Sequence, residues 1–128
     1  MGFFSRKKTI LIVEDEADIA EGLKARLLIE SFNVELASNG QDGVAAARRL
    51  KPDLIIMDVM MPVVNGLDAC SALKSGEDTR NIPILMLTAL PHMKDVENAF
   101  EVGANDFLNK PYSNDRLLKK IEALLAKS

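Results

Sequence analysis

The chain has 128 residues, of which 48% are hydrophobic and 27% charged, and its formal net charge is -3. This length predicts a single globular domain with one core, and the slight excess of acids lacks the basic footprint of a nucleic-acid-binding protein. The lone cysteine, Cys70, excludes an internal disulfide framework and favours a reducing compartment.

Residues 1–8 are predicted to form a solvated tail ahead of the domain. They combine two phenylalanines with three basic residues and lack the apolar segment of a secretory signal. No run elsewhere in the chain reaches the roughly 20 apolar residues of a membrane-spanning helix. We therefore expect a cytoplasmic protein without a membrane span, whose one domain covers residues 9–127.

Short apolar runs alternate with longer segments of helical periodicity, which is typical of βαβ units. The runs predict five strands: Thr9–Val13, Val34–Ala37, Leu54–Met57, Ile82–Leu87 and Asp106–Leu108. The first, third and fourth are nearly continuous in Ile, Leu, Val and Met, as in parallel strands covered on both faces. The second and fifth are shorter and more polar, so we place them at the edges of the sheet.

Five helices are predicted between and after these strands. Apolar residues at four-residue spacing predict the first helix around residues 19–27, and a similar stripe predicts the last around residues 117–125. The other three are predicted over Gln41–Leu50, Gly66–Lys74 and Met93–Val102. This order of elements predicts an α/β fold with a doubly wound parallel sheet.

Acids follow two of the predicted buried strands. Glu14 and Asp15 come after the first strand and Asp58 after the third, and the C-terminal ends of parallel strands are where ligands bind. Neighbouring carboxylates repel one another unless a cation lies among them, and Mg²⁺ prefers such oxygen ligands. The simpler alternative for Asp15 is that it caps the first helix.

Two more polar residues are predicted at the same edge. Thr88 follows the fourth strand and offers a hydroxyl to a phosphoryl oxygen, or else to the backbone at the strand end. Lys110 follows the fifth strand and precedes Pro111, so it brings a cation to the edge at a peptide bond that can be cis. Its alternative is a surface lysine before a turn. Together these residues indicate phosphate chemistry.

In this combination and order, the chain closely resembles the receiver domain of two-component response regulators from Lys8 to Ala126. The resemblance is carried by Glu14-Asp15, Asp58-Val59-Met60-Met61-Pro62 with Gly66, Thr88-Ala89, Gly103-Ala104-Asn105-Asp106-Phe107 and Lys110-Pro111. It implies a flavodoxin-like five-stranded sheet of order 2-1-3-4-5 with five helices.

The resemblance also implies the chemistry of the site. Asp58 would accept a phosphoryl group from a histidine kinase or a histidine phosphotransferase, and Lys110 would pair with that group. The Mg²⁺ ligands would be Glu14, Asp15, Asp58 and the backbone carbonyl of Met60. Self-phosphorylation and self-dephosphorylation would be weak and Mg²⁺-dependent, so we do not expect an enzyme that turns over metabolites.

Signal output would pass through a switch pair, Thr88 and Phe107. Their movement is expected to alter the face of helix four, strand five and helix five, where an unknown downstream protein docks or a homodimer forms. Because the last helix ends at residues 126–128, we expect a stand-alone receiver that works by docking to other proteins and does not bind nucleic acid.

A cysteine, a histidine and a pair of lysines are predicted to have no role in the phosphate site. Cys70 lies on the Leu67, Cys70, Leu73 line of the third helix and is expected to be a small buried hydrophobe. His92 is expected to be a solvated loop residue. Lys119 and Lys120 are interpreted as part of an ordinary solvated helix face.

Two other functions remain open at this point. A small aspartyl-phosphate phosphohydrolase would use similar residues, but its nucleophile follows strand one in an Asp-x-Asp pattern, where this chain has Glu14-Asp15-Glu16. An interaction module that works without phosphorylation would keep the fold and lose the switch. The complete set of acceptor residues argues against this second alternative, whereas partner binding unchanged in Asp58→Ala would favour it.

Overall fold

The computed structural model describes residues 7–59, 65–89 and 93–127, without the side chains of residues 93–96. Five strands in it are β1 (Thr9–Val13), β2 (Asn33–Ala37), β3 (Leu54–Asp58), β4 (Ile84–Thr88) and β5 (Asp106–Asn109). The helices are α1 (Ala17–Ile29), α2 (Gly40–Leu50), α3 (Gly66–Ser75), α4 (Met93–Glu101) and α5 (Asn114–Lys127). None of these helices is long and apolar enough to cross a bilayer.

The strands form one parallel sheet in the order β2-β1-β3-β4-β5. This order confirms the predicted flavodoxin-like topology and the placement of the two more polar strands at the edges. The central strands are buried along their whole length because helices cover both faces. All five strands point the same way, so their C-terminal ends lie along one edge of the sheet.

Alternate residues of each strand pack into two apolar layers. Leu11, Ile55 and Met86 lie in the layer that contacts α2, α3 and α4. Their neighbours along the strands lie in the opposite layer, which contacts α1 and α5. The period of two along a strand therefore decides which face each side chain reaches.

The start of β4 differs from the prediction. The strand begins at Ile84, and Ile82 belongs to the preceding turn because its N–H donates to the Thr79 carbonyl at 3.0 Å. Pro83 has no N–H to give to a sheet ladder. Ile82 is nevertheless buried, so its apolar side chain packs into the core without strand pairing.

At their C-terminal ends β3, β4 and β5 run one residue further than predicted. Asp58 and Thr88 are the last residues of β3 and β4, with Leu87 and Asn109 as their partners on the neighbouring strands. Two polar residues of the predicted site, Asp58 and Thr88, are therefore held by the sheet itself.

Candidate functional site

Three carboxylates converge where β1 and β3 end. One oxygen from each of Glu14, Asp15 and Asp58 lies within 4.8 Å of the others. β1 and β3 are neighbours in the sheet, with Val13 opposite Met57, so the residues after Val13 meet the end of β3. Glu14 and Asp58 are buried and Asp15 is exposed. The sheet thus brings together all three acids that the sequence singled out.

Glu14 is buried, and only one of its two carboxylate oxygens has a hydrogen-bond partner among the described residues. Its Oε2 accepts a hydrogen bond from the Glu16 backbone N–H at 3.1 Å, while Oε1 has no hydrogen-bond partner among the described residues. Burial raises the pKa of this carboxyl from 4.5 to about 7; the Glu16 N–H opposes the rise and the charge of Asp58 adds to it. A cation at this position would relieve both the burial cost and the repulsion.

Lys110 supplies one cation to the acids. Its Nζ lies 3.4 Å from Asp58 Oδ2 and 3.7 Å from Glu14 Oε1. Its backbone N–H donates to the Thr88 carbonyl at 2.7 Å, which ties the end of β5 to the end of β4. The bond between Lys110 and Pro111 is cis, as the sequence allowed. The predicted lysine therefore reaches the acidic cluster.

A divalent cation fits this donor set. Three carboxylates face one ammonium group, so the fully ionised cluster carries two uncompensated negative charges. One buried oxygen, Glu14 Oε1, has no hydrogen-bond donor among the described residues. Hard oxygen ligands of this kind suit Mg²⁺. Met60, whose carbonyl was predicted to complete the set, lies outside the described residues.

The alternative that Asp15 caps α1 is wrong. The helix begins at Ala17, and the residue at its N-cap position is Glu16, whose side chain makes no cap hydrogen bond. Asp15 therefore lies one residue too early to cap the helix, and its carboxylate lies with the other two acids.

Thr88 and Phe107 lie on neighbouring strands and on the same side of the sheet. Met86 is opposite Phe107 and Thr88 is opposite Asn109, so the two predicted switch residues are diagonal neighbours. Thr88 is buried and Phe107 is half-buried. Asn109 lies directly opposite Thr88 on β5, and its Oδ1 is buried with no hydrogen-bond partner among the described residues, a feature that the sequence alone did not reveal.

Gly66 lets α3 begin directly against the backbone of Asp58. A Cβ added there would lie 2.2 Å from the Asp58 carbonyl oxygen and 2.9 Å from the Val59 Cα. The Gly66 N–H also donates to the Val59 carbonyl at 3.0 Å. Only a residue without a side chain allows this approach, so Gly66 fixes the backbone that carries Asp58.

Cys70 is buried, as predicted, and burial raises its pKa to about 11. The interpretation of Lys120 as an ordinary solvated residue is wrong, because its Nζ lies 3.0 Å from both carboxylate oxygens of Asp106. These residues are 14 positions apart, and no local pattern signals their contact. His92 lies outside the described residues.

The family model of the response regulator receiver domain matches residues 10–122. The chain belongs to this family. The match includes every residue of the acidic cluster and Lys110. The receiver resemblance predicted from the motifs is thereby confirmed, and the chain is a two-component signalling domain.

Relatives of this receiver domain occur in different contexts. The DNA-binding dual master transcriptional regulator RpaA of Synechocystis is 39% identical over 119 residues, which are 93% of this chain and 49% of the relative. The crystallised chemotaxis protein CheY4 of Vibrio cholerae is 30% identical with a TM-score of 0.88, and the match covers 93% of this chain and 99% of that one.

A third relative bears on the metal. The receiver domain of the sensor histidine kinase PA1611 from Pseudomonas aeruginosa is 31% identical with a TM-score of 0.88, over 94% of this chain and 99% of that one. In that structure a magnesium ion is coordinated in the active-site cleft.

The chain spans about half the length of the curated relatives it matches.

Proposed function

We propose that this receiver domain accepts a phosphoryl group on Asp58 from the phosphohistidine of a histidine kinase or a histidine phosphotransferase. The observation that carries the proposal is the position of Asp58, buried at the end of β3, 3.4 Å from Lys110 and within 4.8 Å of two further acids. A carboxylate with only a structural role would not require a lysine and two further carboxylates beside it. Membership of the receiver family supports the same assignment.

The transfer is a displacement at phosphorus. A carboxylate oxygen of Asp58 attacks, the P–O bond of an acyl phosphate forms, and the P–N bond breaks with its electron pair left on the histidine ring of the donor. Lys110 stabilises the charge of the transferred group and holds it in line with Asp58. Burial of Asp58 limits the access of competing water.

Glu14, Asp15 and Asp58 would hold Mg²⁺, together with the Met60 carbonyl. When bound, this ion would neutralise phosphoryl oxygens and make the site attractive to a doubly negative group. The protein's own contribution is to keep the three carboxylates together through the adjacent ends of β1 and β3. We propose acceptor chemistry with weak self-catalysis, without turnover of metabolites.

Output would follow from the switch pair. Thr88 moves to donate its hydroxyl to a phosphoryl oxygen, and Phe107 turns into the space that Thr88 leaves. The face of α4, β5 and α5 then changes and docks a downstream protein or a second copy of this chain. The domain would act as a stand-alone receiver, and the net charge of -3 supports docking to protein over nucleic acid. The lone cysteine suits work in the cytoplasm.

The test is intact mass after incubation with acetyl phosphate, with Mg²⁺ or with a chelator. Wild type is expected to gain one phosphoryl group only with Mg²⁺, and Asp58→Asn none. Lys110→Met is expected to gain it at least about ten-fold more slowly, since it loses a charge aimed at the developing negative charge. A receiver that requires its own kinase would still bind Mg²⁺ and beryllofluoride, so absence of both adduct and binding would contradict the proposal.

A further inference from the structure

The ring of Phe107 contacts side chains of two helices. The Phe100 ring on α4 meets it edge-on, with centroids 5.8 Å apart and an interplanar angle of 85°. Lys120 Nζ on α5 lies over the Phe107 ring, 5.8 Å from its centroid. Both are attractive geometries for an aromatic ring. The predicted switch residue therefore has two specific contacts beyond the core.

Lys120 is itself fixed in place. Both oxygens of Asp106 lie 3.0 Å from Lys120 Nζ, and Asp106 Oδ1 also accepts the Phe107 backbone N–H at 2.8 Å. Asp106 precedes Phe107 on β5, so the ion pair anchors the cation beside the ring. A flexible lysine would pay more side-chain entropy to hold this position.

Phe100 has little role in the core. Its side chain remains 46% exposed, although it is a large apolar residue. The described contact that accounts for its position is the edge-on packing against Phe107. A Phe100 that served only to bury apolar area would be expected deeper in the protein.

We propose that Phe100 and Lys120 are positioning residues that hold Phe107 in its resting place and so set how readily the domain switches. The inference rests on the proposed function, in which Phe107 turns when Thr88 moves. In this proposal the position of Phe107 in the structure is the resting one, and the turn takes the ring away from Phe100 and Lys120, so the two contacts stabilise the unphosphorylated state. Contacts that favour one of two states shift the equilibrium by their own free energy.

The two contacts should therefore affect the affinity for ligands that bind at Asp58, away from Phe100 and Lys120. If the resting state predominates, weakening its contacts raises the apparent affinity for any ligand that binds the switched state. Phe100→Ala is expected to raise the affinity for beryllofluoride about 2- to 10-fold, as an aromatic pair allows. Lys120→Met is expected to raise it about 2- to 5-fold, as a partly exposed cation–π contact allows.

The experiment titrates beryllofluoride, in excess Mg²⁺, into the full chain and follows binding by calorimetry. Phe100→Leu keeps apolar volume and serves if Phe100→Ala folds poorly, and Lys120→Arg restores the cation and the Asp106 ion pair. Lys119→Met is the matched control, because Lys119 is the exposed neighbour of Lys120 on α5. Thermal unfolding of each free variant reports its stability separately.

The proposal expects tighter binding in Phe100→Ala and Lys120→Met, wild-type affinity in Lys120→Arg and Lys119→Met, and no effect of Phe100→Ala when Phe107 is already leucine. Lowered melting temperatures with unchanged beryllofluoride affinity would overturn it, since that result describes a merely structural contact. A wild type that binds no beryllofluoride would instead overturn the proposed function and this inference with it.

Discussion

Replacing Gly66 by alanine tests whether the start of α3 fixes the backbone of Asp58. The new Cβ would lie 2.2 Å from the Asp58 carbonyl oxygen, 2.9 Å from the Val59 Cα and 3.0 Å from the Asp58 carbonyl carbon. All three atoms belong to backbone, so no side chain can rotate away. Relief requires a movement of about 1 Å, and overpacking of this kind costs about 1–3 kcal/mol.

The movement would fall on the residue that carries the proposed chemistry. We therefore expect Gly66→Ala to lower the free energy of unfolding by about 1–3 kcal/mol and to weaken beryllofluoride binding, up to about 100-fold for a displacement of this size. Urea unfolding followed by circular dichroism gives the first quantity, and calorimetric titration with Mg²⁺ present gives the second.

Gly22 provides the control. It lies on the exposed side of α1, and a Cβ added there meets nothing within 4 Å. Gly22→Ala is expected to stabilise the protein by about 0.5–1 kcal/mol through helix propensity and to leave ligand binding unchanged. The reasoning would be refuted if Gly66→Ala were as stable as wild type and bound beryllofluoride equally well.

Three other predictions concern buried polar groups. Folding raises the pKa of Glu14 from 4.5 to about 7. Between these two pH values the folded state binds more protons than the unfolded state, so the metal-free protein loses stability as the pH rises through this range. Urea unfolding with a chelator should show this loss, about 1–3 kcal/mol relative to Glu14→Gln; parallel pH profiles would contradict it. Burial raises the pKa of the Cys70 thiol to about 11. Native protein at about pH 8 should therefore resist Ellman's reagent and react only after unfolding. Equal reaction rates of the native and the unfolded protein would contradict this prediction. Asn109→Val removes a buried oxygen, Oδ1, that has no hydrogen-bond partner in the part of the chain that the structure describes, and it should raise the free energy of unfolding by about 1–2 kcal/mol in thermal melts; a melting temperature below that of wild type would contradict this prediction.

The central strands could be predicted because burial on both faces requires continuous apolar runs. The same signal misplaced the start of β4, since Ile82 is apolar and buried while its backbone belongs to a turn. Apolar sequence reports burial, whereas strand pairing also depends on which N–H groups are free to join the ladder, and Pro83 offers none.

The acids and Lys110 could be placed because strand ends in a parallel sheet share one edge. Contacts that depend on side-chain reach could not be predicted. Lys120 and Asp106 meet across two elements. The burial of Asn109 Oδ1 without a hydrogen-bond partner among the described residues depends on the pairing of β4 with β5. Residue spacing along the chain predicts neither feature.

The most direct test of the central claim is to locate the phosphoryl group. An acyl phosphate on aspartate is reduced by borohydride to homoserine, so treatment after incubation with acetyl phosphate and Mg²⁺ marks the acceptor for peptide mass spectrometry. We predict homoserine at position 58 and at no other aspartate, with none when Mg²⁺ is chelated. Homoserine at Asp15 or at another acid, with Asp58 unmodified, would contradict the account.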